Sequence, residues 1–261
     1  MPSDATGPIR VLAADDSTLA IRLPRATAGA PGIHDEDIVT YDAGDGSVSV
    51  PLVNADGSIQ LTTVIDSPTA PTRYTYDFGM GVQLEAEGTG VIVRAADDNF
   101  LGVIQAPWAH DADGTAVQTR FVLNGSLLTQ IVEHSAMYSY PVVADPAFCG
   151  KLFTAIVTTT ENSQPRYKLY RSTCGISVST GAAFGGGAAG LGIGQQVMLA
   201  EGWADAKTLV PALTLKATLR QQYDCHVFYA FAKPDSWNLE KWRPNKSDWG
   251  SSALSHLCNW S

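Results

Sequence analysis

Three side chains close to the C-terminus have the chemistry of a hydrolytic site. His226 follows a cysteine directly, and Glu240 and Arg243 lie in a tryptophan-rich run. A histidine beside a carboxylate can act as a general base, and an arginine can hold an anionic group with two hydrogen bonds. A disulfide between Cys225 and Cys258 would enclose Glu240 and Arg243 in one loop and could bring them close to His226. These three are therefore the candidate catalytic residues.

A structural role is the alternative for the same residues. Glu240 and Arg243 are three positions apart, so on a helical turn they would form a local ion pair. His226 would then cap a helix or bond to the backbone. The chain has no Gly-x-Ser-x-Gly run, and oxidised cysteines cannot act as nucleophiles. Whether the protein is an enzyme therefore stays open.

Tryptophans are concentrated in the same part of the chain. Trp203, Trp237 and Trp242 occur among Lys and Arg residues. Aromatic rings beside basic groups can stack on sugar rings or lie at a membrane interface, so these three are the candidate binding residues. In a domain with a small core, the same rings can instead form the core.

The four cysteines, Cys149, Cys174, Cys225 and Cys258, all lie in the second half of the chain. They form no Cys-x-x-Cys pair and no zinc-type Cys/His spacing, so neither a metal site nor a cofactor is predicted. Two disulfides are expected, which indicates an oxidising, extracellular location. Sequential pairing would staple two local units, although three connectivities are possible. Four free thiols in a cytoplasmic protein are the alternative.

Charge differs between the two parts of the chain. Residues 1–146 contain 6 Lys+Arg and 19 Asp+Glu, and residues 147–261 contain 11 and 7, so the balances of −13 and +4 add up to −9. The two parts could contact each other, or the basic part could attract an anionic envelope polymer or lipid. Two solvated surfaces that merely differ are the alternative. The overall acidity disfavours nucleic acid, and no apolar run is long enough for a transmembrane segment.

Short runs of β-branched and aromatic residues dominate residues 38–146, after a leader segment at 1–37. Asp-Gly and Asn-Gly pairs between the runs supply the positive φ that tight hairpins need. Many short strands predict an antiparallel β-sandwich or barrel. The predicted strands are Ser47–Val53, Ser58–Ile65, Arg73–Phe78, Val82–Glu87, Val91–Ala95, Leu101–Gln105, Val117–Leu123, Leu127–Val132 and Tyr140–Val143.

Residues 147–261 are predicted to form a small disulfide-stapled α+β domain, which makes the expected fold class α+β. Their glycine-rich run at 181–194 is interpreted as a flexible linker or tightly packed turn, with a membrane-inserting hairpin as the alternative. Apolar periodicity predicts helices in the remainder. The predicted elements are strands at Leu152–Thr160 and Arg166–Ser172 and helices at Gln195–Leu209 and Leu213–Phe231.

Several runs together resemble secreted actinobacterial proteins that have a β-rich front region before variable C-terminal domains. The front region is similar at 66–74, 106–114 and the Pro-Val-Val-Ala-Asp-Pro run of 141–146. The tail resembles a small uncharacterised domain of the same proteins at Gln-Gln-Tyr-Asp-Cys-His (221–226), Trp-Asn-Leu-Glu-Lys-Trp-Arg-Pro (237–244) and Cys258-Asn259. The resemblance implies secretion and a modular layout, and it implies no catalytic residue.

The leading functional hypothesis is therefore a secreted bacterial two-domain protein. Its C-terminal domain would be an effector or toxin that acts on a cell envelope or a protein target. Its N-terminal domain would be a scaffold, delivery or masking module. The alternatives are a secreted hydrolase with a His/Glu/Arg site and a non-catalytic protein that binds cell-wall glycans.

Overall fold

The computed structural model describes residue 2 and residues 6–24, 32–34 and 38–261. It divides into two compact units, unit 1 (Met1–Gly150) and unit 2 (Lys151–Ser261). Within the predicted leader segment, residues 1, 3–5, 25–31 and 35–37 lie outside the described residues.

Unit 1 is built from antiparallel strands. β1 and β2 form a hairpin, and a three-stranded sheet has the order β12-β13-β7. A larger sheet has the order β3-β4-β5-β6-β15-β10-β9-β8, and β14 pairs with β6 and β11. The described strands are β1 (Ile9–Leu12), β2 (Thr18–Ile21), β3 (Gly32–His34), β4 (Ile38–Asp42), β5 (Ser47–Val53), β6 (Ile59–Ile65), β7 (Arg73–Asp77), β8 (Val82–Glu87), β9 (Gly90–Ala95), β10 (Phe100–Ile104), β11 (Trp108–His110), β12 (Thr119–Asn124), β13 (Leu127–Val132), β14 (Val142–Asp145) and β15 (Ala147–Cys149).

These sheets share one hydrophobic core. Ile21 of β2, Tyr76 of β7 and Phe148 of β15 are all buried in it. Alternate residues of β7 point inwards, so Tyr74 and Tyr76 are buried while Arg73 and Thr75 are exposed. The Tyr76 hydroxyl donates a hydrogen bond to the carbonyl oxygen of Leu61 at 3.0 Å, which satisfies its polar group inside the core.

The strands predicted between residues 38 and 146 are confirmed, and β5, β8 and β13 have the predicted bounds. Their turns are confirmed as well, since Gly57 and Gly125 have φ of 80° and 58°. Such φ values strain residues that have a Cβ, so glycine favours these tight reversals. Local turn chemistry thus determined most strand limits in unit 1.

Unit 2 combines a small antiparallel sheet with short helices, so the fold class of the chain is α+β, as predicted. The sheet has the order β16-β17-β18, with β16 (Phe153–Glu161), β17 (Gln164–Arg171) and β18 (Trp237–Glu240). Its described α-helices are α1 (Thr173–Ser179), α2 (Gly187–Val197), α3 (Trp203–Leu209), α4 (Ala217–Tyr229) and α5 (Ala253–His256). β18 was not predicted, because its four residues are too few for a clear alternation.

Residues 187–194 of the glycine-rich run are helical, so the interpretation of the run as a flexible linker was wrong. By contrast, Gly181, Gly185 and Gly186 have positive φ and form a tightly packed turn before the helix. The run supplies a short 3-10 turn at Ala182–Phe184 and most of α2. A Cβ added at Gly194 would overlap the carbonyl oxygen of Val178 in α1. The missing side chain therefore lets α2 approach α1 closely, and this packing outweighs the low helix propensity of glycine.

The two predicted helices are present with altered limits. The first is continuous with α2 through a π-helical turn at Met198–Gly202 and ends with α3. Val210, with φ of −140° and ψ of 89°, leaves the helical conformation before Pro211, and a 3-10 turn at Pro211–Leu215 follows. The second predicted helix is α4, which stays helical to Tyr229.

Every cysteine of the chain is oxidised. Cys225 of α4 is bonded to Cys258, as predicted, with their Cα atoms 5.4 Å apart. Cys149 and Cys174 are also disulfide-bonded, so no free thiol remains. Among the helices described, none has the length and apolar character needed to span a membrane.

Candidate functional site

α4 and β18 position the predicted catalytic residues, and polar contacts hold these two elements together. At the start of α4, the backbone N–H of Thr218 donates to the side-chain oxygen of Asn245 at 2.9 Å, which satisfies an otherwise unpaired helix donor. Further along, the Gln222 amide donates to the carbonyl oxygen of Glu240 at 3.0 Å and accepts from its N–H at 2.8 Å. Gln222 therefore pairs with β18 as a neighbouring strand would.

His226 lies inside unit 2 with 1% of its surface exposed. Its ring stacks on Trp237, with centroids 5.7 Å apart and planes 8° from parallel. Nε2 lies 3.2 Å from the carbonyl oxygen of Asn238. Since a carbonyl oxygen only accepts, Nε2 must carry the proton of this bond. Burial lowers the pKa of His226 to about 4, so the imidazole is neutral near pH 7.

The carboxylate of Glu240 is buried between two arginines. Arg243 Nε lies 2.6 Å from Glu240 Oε2, and Arg166 Nε lies 3.7 Å from Oε1. Arg166 is opposite Glu240 in the β17–β18 register, so the second contact is a cross-strand pair. The local ion pair of Glu240 and Arg243 is present, but β18 ends at Glu240, so it does not lie on a helical turn.

The structure therefore brings together two of the three candidate catalytic residues. Glu240 contacts Arg243, whereas His226 bonds to Asn238 and stacks on Trp237. A general base needs an accessible lone pair and a pKa near the working pH. The imidazole of His226 is buried and its pKa is strongly lowered, so it is a weak base. In the part of the chain that the structure describes, no group of three or more His, Cys, Asp or Glu residues could hold a metal ion.

The candidate binding tryptophans lie largely in the interior of unit 2. Trp237 is fully buried, and Trp203 is buried against Tyr223 with ring centroids 5.0 Å apart. Trp242 is half-buried, and its ring centroid is 5.8 Å from the Arg243 guanidinium carbon. A ligand could reach the ring of Trp242 but could not reach that of Trp237 without displacing core residues.

A different set of apolar side chains on unit 2 consists of three exposed residues and the half-buried Trp249. We call Phe228, Tyr229, Trp249 and Leu257 the aromatic surface. Phe228 stacks on Trp249 with centroids 6.4 Å apart, and Tyr229 meets Trp249 edge-on at 6.3 Å. Phe228 is 37% exposed, Tyr229 47% and Leu257 77%.

The sequence carries a signal for part of this surface. α4 buries Leu219, Gln222, Tyr223 and His226, which is the spacing of one helical stripe. Phe228 is nine residues after Leu219 and so lies on the opposite face of α4, whereas Tyr229 has the spacing of the stripe but is 47% exposed at the last residue of the helix. A large aromatic opposite the buried stripe of a helix indicates an exposed apolar side chain.

A half-open cavity of about 320 Å³ lies next to the aromatic surface. Tyr229 and Leu257 belong to both features, and His226 and Cys258 form part of the cavity wall. The cavity is therefore enclosed by the end of α4 and by the C-terminal segment that the disulfide joins to it.

A family of proteins of unknown function, DUF2599, matches residues 158–260. The similar region extends from β16 almost to the end of unit 2 and includes the aromatic surface. A C-terminal domain of uncharacterised function, predicted from the sequence, is thereby confirmed. Neither the curated proteins nor the solved structures contain a significant match to the chain.

Proposed function

We propose that this is a secreted two-domain protein whose unit 2 binds the anionic lipid surface of a cell envelope. Unit 1 would act as its scaffold, delivery or masking module. In this proposal unit 2 is the effector part, and its action begins with adsorption to the envelope of another cell.

The aromatic surface is the observation that carries the proposal. Exposed apolar side chains that contact one another are uncommon on monomeric proteins unless they bind something. Tyr and Trp combine an apolar ring with a polar tip, which suits the boundary between lipid and water. Phe228 and Leu257 lack a polar tip, so they favour a lipid over a sugar ring as the occupant.

Charge and oxidation state support the same proposal. Residues 151–261 contain 11 Lys+Arg and 7 Asp+Glu, so unit 2 has a formal charge of +4. A basic protein is attracted to anionic lipid, by about 1 kcal/mol for each basic residue close to the surface. Disulfides persist outside the reducing cytoplasm, and all four cysteines are oxidised.

Vesicle binding by the full chain tests the proposal. The protein should co-sediment with vesicles that contain phosphatidylglycerol and should bind much less to pure phosphatidylcholine. The variant Phe228→Ser/Tyr229→Ser/Leu257→Ser should bind at least tenfold more weakly, since each large side chain contributes roughly 1–3 kcal/mol when it leaves water. Tyr170→Ser/Ile176→Ser is the control, because both residues are exposed elsewhere on unit 2.

Unchanged binding by the triple variant would reject the aromatic surface as the contact. Binding to isolated cell-wall glycan but not to vesicles would instead support the non-catalytic, glycan-binding alternative. Growth inhibition of bacteria by the full chain, lost in the triple variant and kept in the control, would support an effector or toxin role.

Hydrolysis is the weaker proposal for this chain. It requires His226 to share a substrate with Glu240, yet these side chains have separate partners and both are buried. Turnover of an envelope polymer that is abolished by His226→Gln in a folded protein would reverse this preference.

A further inference from the structure

β16 lies at one edge of the sheet of unit 2. The sheet has the order β16-β17-β18, so β16 has a neighbouring strand on one side only. Within the residues that the structure describes, no backbone group of residues 154–160 is hydrogen-bonded to a residue outside β17. The N–H and C=O groups that point away from β17 therefore form a row to which a further strand can bond.

The composition of β16 gives this edge little protection against strand pairing. Edge strands of folded proteins are usually short, or they contain charged residues or proline that prevent such pairing. β16 (Phe153–Glu161) has nine residues, and residues 154–160 include neither a proline nor a charged side chain. Its one register shift lies at the start, between Phe153 and Ala155. Val157, in the middle of the run, is 45% exposed, so the edge is accessible.

Other edge strands of the described sheets do carry such protection. β8 and β12, at two sheet edges in unit 1, contain Glu85 and Arg120. β18 has four residues, and the side chain of Gln222 bonds to both the N–H and the carbonyl oxygen of its last residue, Glu240. One edge of the sheet of unit 2 is thus closed by a side chain, and β16 is the edge at which this sheet can be extended.

The residues of β16 are suited to pairing with a second copy of the same strand. In an antiparallel pair centred on Val157, Thr154 lies opposite Thr160 and Ile156 lies opposite Thr158. Cross-strand pairs of threonine are favourable, and β-branched side chains fit a pleated surface well. Because residues 154–160 are uncharged, self-pairing brings no like charges together in this run. It also buries the exposed side chains of the two Val157 residues against each other.

We propose that two copies of the protein associate through β16, so that their three-stranded sheets join into one antiparallel sheet. A two-fold axis near Val157 relates the copies, as in most homodimers. Both outer edges of the joined sheet are β18, which Gln222 closes, so association stops at the dimer. The dimer is separate from the proposed adsorption to lipid, since no residue of the aromatic surface belongs to β16.

Sedimentation equilibrium of the full, oxidised chain measures this association. The apparent molar mass should double as the protein concentration rises from about 1 to 300 µM, a range that covers weak and transient interfaces. Over the same range, hydrogen exchange of the amides should become slower in β16 and should stay constant in β8. A protein that remains monomeric throughout would overturn the inference and would leave a strand of a different protein as the occupant of this edge.

Charged substitutions at Val157 test where the two strands meet. Val157→Lys places two ammonium groups opposite each other and should weaken self-association by about tenfold, because like charges in this position destabilise a strand pair. Val157→Glu should act in the same way. An equimolar mixture of the two variants should associate again, since each Lys then faces a Glu. Ile176→Lys is the control, because Ile176 is 42% exposed in α1, and it should associate like the native chain.

Four results would contradict pairing through β16. They are equal association of Val157→Lys and Ile176→Lys, a mixture of the two Val157 variants that stays monomeric, and oligomers that grow beyond the dimer. The fourth is a dimer that is lost in Phe228→Ser/Tyr229→Ser/Leu257→Ser, which would make the aromatic surface the interface. Dimerisation is measured without lipid, so its failure leaves the vesicle result intact, and a failure of vesicle binding leaves the dimer intact.

Discussion

The side chain of His226 is neutral because of its surroundings. It lies between the ring of Trp237 and the backbone of Asn238, with 1% of its surface exposed. Burial disfavours the charged imidazolium, and nearby Lys233 and Arg171 disfavour it further, so the pKa falls from 6.5 to about 4. The residue type suggested acid–base chemistry, whereas the environment makes this histidine a hydrogen-bonded packing residue.

This lowered pKa predicts that acid destabilises unit 2. Between pH 6.5 and 4 the unfolded chain binds a proton that the folded chain does not, so stability is complete above pH 6.5 and is lost as the pH falls. From pH 7 to 4.5 the loss should be about 2–3 kcal/mol. Urea unfolding followed by tryptophan fluorescence measures it.

The variant His226→Gln should make the free energy of unfolding of unit 2 less dependent on pH over this range. His256→Gln, in α5 of the same unit, is the control and should keep the dependence of the native chain. If the native chain and the His226 variant show the same slope, the imidazole is not buried in its neutral form.

Glu240 and Arg243 should be strongly coupled. The carboxylate is almost fully buried, so removal of Arg243 leaves a charge with weaker compensation. A double-mutant cycle of Glu240→Gln and Arg243→Met should give a coupling free energy of about 1–3 kcal/mol in urea unfolding. Arg120 and Glu133 in unit 1 are exposed and 3.9 Å apart.

The exposed pair is the matched control for this cycle. Its coupling should lie within about 0–1 kcal/mol, the usual range for surface ion pairs. Equal coupling energies for the two pairs would mean that the burial of Glu240 contributes nothing to its interaction with Arg243.

At the scale of elements, α2 depends on glycines in a way that single substitutions can measure. Gly194 packs against Val178 of α1, whereas a Cβ at Gly192 would meet open space. Gly192→Ala should stabilise unit 2 by roughly 0.5–1 kcal/mol, because alanine is the better helix former. Gly194→Ala should destabilise it despite the same gain in propensity, and thermal unfolding compares the two.

A stabilising Gly194→Ala would show that α1 and α2 do not approach closely.

The glycine-rich run shows why sequence patterns did not predict α2. Helix propensity and turn statistics both describe local preferences, and both argue against a helix with this composition. The close approach of a second helix is a tertiary contact, so its contribution is invisible to a local pattern.

The elements of unit 1 were predictable for the opposite reason. Its strand limits follow from turn residues such as Gly57 and Gly125, whose φ angles are set within a few positions. Strand β18 was not predicted because it is held by its partner β17 and by the side chain of Gln222. Neither partner is close to it in sequence.

On the scale of the whole molecule, Asp145 of unit 1 and His226 of unit 2 should contribute to the pH dependence of stability in opposite directions. Asp145 of unit 1 is buried with 2% of its surface exposed. Desolvation raises the pKa of its carboxyl to about 7, although hydrogen bonds from Gln60 and Trp108 lower it in part. His226 has its pKa lowered to about 4 by the same cause, because burial favours the neutral form of either group.

The Asp145 carboxyl predicts that unit 1 loses stability as the pH rises. Between pH 3.8 and 7 the folded chain binds a proton that the unfolded chain has released, so the penalty grows across this window. The stability of Asp145→Asn relative to the native chain should therefore increase by about 2–3 kcal/mol from pH 5 to 8. Hydrogen exchange of β5 and β6 amides reports on unit 1.

Unit 2 offers the control for this measurement. Exchange of amides in α4 should have the same pH dependence in Asp145→Asn as in the native chain, because Asp145 belongs to unit 1. A constant difference between variant and native chain from pH 5 to 8 would contradict the buried neutral carboxyl.

Sequence patterns predicted the fold class and most strands of unit 1, because these depend on residues that are near in sequence. The same patterns left the pairing of the cysteines open and offered the ion pair of Glu240 with Arg243 only as an alternative to a catalytic role. The helix in the glycine-rich run and the buried, neutral state of His226 follow from tertiary contacts. The exposure of Tyr229, which has the spacing of the buried stripe of α4, does so as well. Burial is a property of neighbours far apart in the chain, so one pattern of residues is compatible with both a reactive and a packed histidine.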